Sequence, residues 1–302
     1  MRKNILNKFD DNLTGYVFIL PWLIGFIAFM LVPLIISLYY SFTKYDILSQ
    51  AKWVGIKNYI NILSDDDTFW SSLKTTFFYT FVAIPFRLIF ALLLAVLFSQ
   101  KRKFLGVYRA TYYLPSIIGG SVAVALIWRQ LFSSRGALNS FLSLLLGIDY
   151  GKSWIGSPDT AIWTIILLAA WQFGSPMLIF VAGLKQIPIT LYEAAIIDGS
   201  NWWYKFFKIT LPMLSPVIFF NLIVQLINGF MMFTEAFIVT GGGPFDKTQV
   251  YVLYVFRRCF TYYEMGYGCA LSWILLIMVG IVTLIIFKSS KYWVYYESGS
   301  DF

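Results

Sequence analysis

Asn221, Gln225, Asn228, Met232 and Glu235 recur at spacings of four, three, four and three residues within an apolar run. On an α-helix that spacing places them on one face. Amides and a thioether so arranged can hydrogen-bond a hydroxyl-bearing solute while aromatic rings pack on its apolar faces. Trp171 and Gln172, in the preceding apolar run, are candidates to join them. The same amides can instead bond neighbouring helices, as polar side chains in membrane bundles do, and both readings stand. Counted from Leu214 at about 1.5 Å per residue, Gln225 lies roughly 16 Å along, near the midplane of a hydrocarbon core about 30 Å thick.

Other residues suggest chemistry and fail the test of context. Gly147 to Ser153 reads GIDYGKS, one residue short of a phosphate-binding loop, with Leu146 where the first glycine belongs and no strand before it. No other nucleotide motif is present. Asp10 with Asp11, and Asp65 with Asp66 and Asp67, fall in loops or tails without catalytic company. The chain has no histidine, which removes histidine triads, histidine zinc sites and histidine proton relays. Cys259 and Cys269 imply neither a disulfide framework nor a metal site. The expectation is a chain that is not an enzyme and carries no cofactor of its own. An ion-coupled secondary transporter is the rival, but it calls for midplane acids or histidines and often repeats, which are not found here.

The elements that must position these residues are membrane helices. Hydrophobic residues make up 59% of the 302 residues and charged residues 13%, against roughly 45–50% and about 25% in soluble domains. Six apolar segments reach the length of about 20 residues that a bilayer requires, at roughly 15–42, 73–99, 108–132, 161–184, 214–240 and 267–287. The first is too long for a signal-peptide core and reads as a retained span. The charge of +8 belongs to short basic segments between apolar runs, so no nucleic-acid partner is inferred. Arg2, Lys3 and Lys8, then Lys101, Arg102, Lys103 and Arg109, then Lys185, Lys205 and Lys208 mark one side of the bilayer. The positive-inside rule places that side, with both termini, in the cytosol. Arg87 is a further intramembrane charge; its depth and that of Glu235 differ too much for the two to pair.

Between the fourth and fifth segments, residues 185–213 include LYEAAIIDGSNWWYKFFKITLPMLSP. Leu191 to Asp198 suit a short helix that Gly199 terminates. Trp202 to Ile209 is aromatic and basic, suited to lying at the interface, and Pro212 opens the next span. Glu193, Ala194, Ala195, Gly199, Ile209, Leu211 and Pro212 match, in spacing, the EAA loop of binding-protein-dependent ABC importers. The stretches WVGIKNYINIL, YRATYYLPSIIGGSVAVALIW and TEAFIVTGGGPFDKTQVYVLYVF also resemble carbohydrate-uptake permeases of the maltose F-type and glycerol-phosphate A-type.

That resemblance implies an all-α polytopic membrane protein with six transmembrane helices in a type I ABC importer permease fold, in the inner membrane of a prokaryote. It implies a second homologous permease as heterodimer partner, two ATPase subunits that bind ATP and Mg, an extracytoplasmic solute-binding protein and a carbohydrate substrate. Glycerol phosphate or another polyol derivative is the alternative. Glu193, Ala194, Ala195, Asp198 and Gly199 would couple to the ATPase, and Gly241, Gly242, Gly243 and Pro244 would face the binding protein.

Overall fold

The computed structural model describes residues 3–99, 105–147 and 151–295, with side chains left undescribed at 3–14 and 105. Lys101, Arg102 and Lys103 of the basic signal, Arg2, and the middle of GIDYGKS lie outside the described residues, as do the side chains of Lys3 and Lys8. The chain divides into two compact units. One comprises residues 1–65 and 255–276, the other 66–254 and 277–302.

In the first unit, α1 (Lys3–Phe26) runs through a π-helical turn (Ile27–Leu31) into α2 (Val32–Ser41). Gly15–Ser41 is long and apolar enough to cross a bilayer. It exposes large side chains along its length, Phe29 to 86%. Water does not solvate such a surface favourably, so lipid or another chain must cover it. The chain then forms β1 (Thr43–Lys44), β2 (Lys52–Trp53) and α3 (Lys57–Ser64). The two strands pair antiparallel, Thr43 opposite Trp53, so the expected all-α architecture gains one short hairpin. Its buried backbone groups are capped from α3: the Asn58 amide donates to the Ser41 and Thr43 carbonyls at 2.8 and 2.9 Å.

In the second unit, α4 (Asp67–Ser99) is the central helix. Asp66 Oδ1 caps it by accepting from Phe69 N at 2.9 Å, and the Tyr254 hydroxyl donates to the other carboxylate oxygen. Next come α5 (Leu105–Ile118), α6 (Val122–Leu131), α7 (Ala137–Leu146), α8 (Ala161–Trp171) and α9 (Gly174–Leu184). Then follow α10 (Ile189–Ile197), α11 (Trp202–Lys205) and α12 (Leu211–Phe230). Ile84, Leu88, Ala91 and Ala95 of α4 meet Met177 and Phe180 of α9 and Leu214 and Phe230 of α12 in a continuous apolar core. α13 (Tyr251–Phe256) and α14 (Met265–Ser290), which the division into units cuts after Tyr254 and after Leu276, complete the order.

Four helical stretches have the length and apolarity to span a bilayer, and counting each of two bent pairs as one gives six. The expected third segment breaks by 94° between α5 and α6, and the fourth bends by 40° between α8 and α9. The fifth differs from the expected 214–240. It begins at Trp202, ends at Phe230 and has 29 residues, because the Trp202–Ile209 stretch continues through a π-helical turn (Phe206–Thr210) into α12.

Breaking a helix in hydrocarbon frees carbonyls and amides that must find partners inside the protein. Both breaks are served at one place. The Gln172 carbonyl, at the end of α8, accepts from Arg87 Nε at 2.9 Å and from the Ser116 hydroxyl at 2.8 Å, and Arg87 adds a second guanidinium bond. The Gln172 side chain donates to the Gly119 carbonyl at the α5–α6 break, 2.9 Å away. Ser116 Oγ also accepts from Ser175 N at 3.0 Å. A Cβ on Gly174 would lie 2.9 Å from the Tyr112 carbonyl oxygen, so only glycine lets α9 come this close to α5.

A charge-assisted hydrogen bond is worth about 1.5–3 kcal/mol, so Arg87→Gln should lower the thermal midpoint of the detergent-purified protein. Because Arg87 and Ser116 share one acceptor, Arg87→Gln and Ser116→Ala should be non-additive by about 0.5–3 kcal/mol in a double-mutant cycle. Strict additivity would show that the node is not one unit.

Candidate functional site

The residues 185–213 are built around α10. Pro188 precedes it, and a left-handed turn ends it: Gly199 has φ +72°. Ser200 N donates to the Ala195 carbonyl at 2.9 Å and Gly199 N to the Ile196 carbonyl at 3.0 Å, the paired bonds of a Schellman cap. Gly199 is required here for its conformation rather than for space within the chain, since an added Cβ would meet nothing within 4 Å. Ala195 is 7% exposed and turns inward. Glu193, Ala194, Asp198 and Gly199 are exposed, as are Ile196 at 59% and Ile197 at 86%.

Two adjacent exposed isoleucines on a short, capped helix carry an unfavourable apolar surface, and a side chain of that size contributes about 1.5–3 kcal/mol when fully buried. With a carboxylate at each end of the exposed edge, the surface offers an apolar centre and charge-assisted acceptors to a partner rich in donors. Among the described residues, the side-chain hydrogen bond that ties α10 to the rest of the unit joins the Tyr192 and Thr210 hydroxyls at 2.9 Å. Thr210 closes the π-helical turn that leads into α12, and Asn201 caps α11 by accepting from Tyr204 N at 2.8 Å. α10 is thus joined by a side-chain bond to the start of the helical stretch Trp202–Phe230. Sequence reasoning passed over Tyr192 and Thr210; nothing in their spacing marks a contact across an elbow.

The polar stripe does not hold one face. Asn221 and Gln225 are buried on α12, Asn228 is exposed, and α12 ends at Phe230 before Met232 and Glu235. Met232 enters a buried cluster with Tyr79, Ala83 and Ile165. Both side-chain atoms of Asn221, Gln225 Oε1 and Thr80 Oγ1 are buried without hydrogen-bond partners among the described residues. Each such orphan costs about 1–3 kcal/mol, so this face has unmet capacity for polar partners. Trp171 is half-buried against Trp128, ring centroids 5.9 Å apart, and Gln172 belongs to the node that joins the broken helices. Arg87 donates to that node from a different helix, α4.

The glycine run makes a closed turn. Gly241 and Gly242 have φ +62° and +84°, and the Gly243–Pro244 peptide is cis. Thr248 Oγ1 donates to the Gly243 carbonyl at 2.7 Å and pairs with Thr240 Oγ1 at 2.6 Å. The turn presents Phe245, 87% exposed, a residue that sequence reasoning did not single out.

Residues 66–293 match the family described as binding-protein-dependent transport system inner membrane component. The chain is 51% identical to the probable ABC transporter permease protein YesP of Bacillus subtilis over 96% of this chain and 94% of that one. It is 34% identical to the arabinooligosaccharides transport system permease protein AraP of the same organism, covering 93% and 90%. It is also 30% identical to the trehalose/maltose transport system permease protein MalF of Thermococcus litoralis, covering 94% and 96%. Among solved structures, a chain of a bacterial alginate ABC transporter in complex with an alginate pentasaccharide-bound periplasmic protein superposes with a TM-score of 0.82. That match covers 94% of this chain and 96% of the other at 22% identity, which places the fold as that of a type I importer permease.

A residue with a Cβ at φ +72° is strained by roughly 1–2 kcal/mol. Gly199→Ala should therefore speed amide hydrogen exchange at Gly199 and Ser200 by about fivefold or more, and Gly199→Asn by less. Equal exchange in wild type and Gly199→Ala would contradict the cap.

Proposed function

Because the chain belongs to the family of binding-protein-dependent transport system inner membrane components, we propose that it is one of two permeases in an ATP-driven carbohydrate importer. The observation that carries this reading is α10: a short, capped helix with exposed Glu193, Ala194, Ile197 and Asp198, hung between the bent apolar pair α8–α9 and the long helical stretch Trp202–Phe230. On this reading residues 185–213 lie in the cytosol together with both termini, and an ATPase subunit covers the exposed edge of α10. ATP and Mg reside on two such subunits and not on this chain.

ATP-driven closure of the ATPase pair displaces α10. Through Ser200 and Asn201, and through the Tyr192–Thr210 bond, that displacement moves the continuous helix Trp202–Phe230. The solute crosses between this chain and a second, homologous permease after release from an extracytoplasmic binding protein that meets the turn at Gly241, Gly242, Gly243 and Pro244. A carbohydrate, and an oligosaccharide in particular, is supported by the names of the AraP and MalF relatives. Asn228 is the candidate already exposed to meet it. Asn221, Gln225, Met232, Trp171 and Gln172 reach a solute only when the helices around them shift.

In the assembled importer, Glu193→Lys, which reverses the charge at one end of the exposed edge, and Gly199→Asp, which strains the cap that shapes it, should each reduce co-purification of the ATPase, by up to the roughly 30-fold in affinity that about 2 kcal/mol represents. Thr210→Val should leave the ATPase bound but lower uptake of labelled oligosaccharide per ATP hydrolysed. Asn228→Ala should lower uptake with assembly intact. Full ATPase retention and uptake in both Glu193→Lys and Gly199→Asp would refute the coupling role of α10.

A further inference from the structure

A cavity of about 340 Å³ opens in the second unit beside α10, within the roughly 300–1,000 Å³ of small-molecule sites. Its wall is assembled from the ends of helices. Ser99 is the last residue of α4, Lys185 follows the last residue of α9, Tyr192 comes from α10, and Trp202, Lys205 and Thr210 come from the elbow that leads into α12. Long apolar helices end where hydrocarbon gives way to headgroups, so the cavity sits at headgroup depth whichever side of the membrane it faces.

The lining carries two ammonium groups and no carboxylate. Among the described residues neither Lys185 nor Lys205 makes an ion pair, although Arg258 of the first unit pairs with Glu264 at 2.8 Å. The hydroxyl chemistry is already committed. Thr210 bonds the Lys205 carbonyl at 3.3 Å and the Tyr192 hydroxyl at 2.9 Å, and Ser99 donates to the Val96 carbonyl at 2.8 Å. What remains unanswered in the cavity is therefore positive charge.

The rest of the wall is apolar. Trp202 lies stacked on Phe206 with centroids 5.4 Å apart and planes 8° from parallel. Trp202, Trp203, Tyr204 and Phe207 are each at least half exposed, as aromatic side chains are where they sit at a membrane interface. A ligand matched to this cavity has an anionic head for two lysines and an apolar body for an indole.

We propose that this cavity binds a phosphate group held between Lys185 and Lys205, and that its source is the headgroup of an anionic phospholipid whose glycerol and first methylenes lie against Trp202. Binding does not depend on the coupling reading above. If that reading holds, the bound headgroup sits beside the Tyr192–Thr210 bond and braces α10 for the ATPase.

The test uses the full chain in nanodiscs of phosphatidylcholine doped with phosphatidylglycerol, with lipid retention read by native mass spectrometry in the absence of ATP and solute. A parallel arm adds inorganic phosphate. The wild type should retain phosphatidylglycerol saturably at one molecule per chain in preference to phosphatidylcholine. Lys185→Gln with Lys205→Gln should lose that preference by roughly 30-fold, about fivefold for each lysine. Lys185→Arg with Lys205→Arg, a control for folding, should keep it. Retention of inorganic phosphate that the glutamine pair abolishes, without any lipid preference, would support the phosphate site and overturn its lipid source. Equal retention of both lipids with no effect of phosphate, or unchanged retention in the glutamine pair, would overturn the proposal. Because retention is measured without ATP, it separates this site from any failure of the coupling reading.

Discussion

A carbonyl released by a bend in a membrane helix has no water to turn to, and in this chain two bends occur side by side. The node that resolves them is small. Arg87 and Ser116 converge on the Gln172 carbonyl, and the Gln172 side chain returns to the Gly119 carbonyl. A guanidinium suits the task because it presents several donors in a rigid fork and remains charged. With the breaks held there, α5 and α9 pack closely at Gly174, and α9 in turn packs with α4 and α12 around Phe180 and Leu214. The fourth span can then end at Leu184, from which α10 is suspended.

The segment that carries α10 is an extension of this arrangement rather than an appendage. α10 is anchored at Ala195, stopped at Gly199 and tied at Tyr192, while its outer edge is left apolar and uncovered. The helix that begins at Trp202 continues through Thr210 to Phe230, so the elbow and the span form one continuous helical stretch of about 40 Å. The cavity between Lys185 and Lys205 lies at the joint of these parts. A joint of this kind has to hold position against lipid while remaining free to move.

Local signals were legible in the sequence. The place of α10, which starts two residues before the expected Leu191, the role of Gly199 as a terminator and the six apolar segments follow from helix formers, glycine and hydropathy, all of which act over a few residues. Direction was not legible. A hydropathy window reads 108–132 as one span because a 94° turn at Gly119 and Gly120 leaves composition unchanged. The even spacing of Asn221, Gln225, Asn228, Met232 and Glu235 suggested one face, but a helix stop at Met231 is set by packing and divides it. Arg87 was recognisable as a buried charge, whereas its partner, a main-chain carbonyl exposed only by a distant bend, has no sequence signature. The hairpin of Thr43 and Trp53 escaped notice because two residues are too short a run to show alternation.

The central claim is that the outer edge of α10 faces the cytosol and is covered by an ATPase. Ile197→Cys places a thiol at its most exposed position, in a background where burial pushes the native Cys259 thiol up to about 11 and so keeps it protonated near neutral pH. A membrane-impermeant maleimide should label Cys at 197 in inside-out vesicles and not in right-side-out ones, and added ATPase subunit should block the labelling. Labelling from the outer face, or labelling from the inside that the ATPase leaves unchanged, would contradict the account.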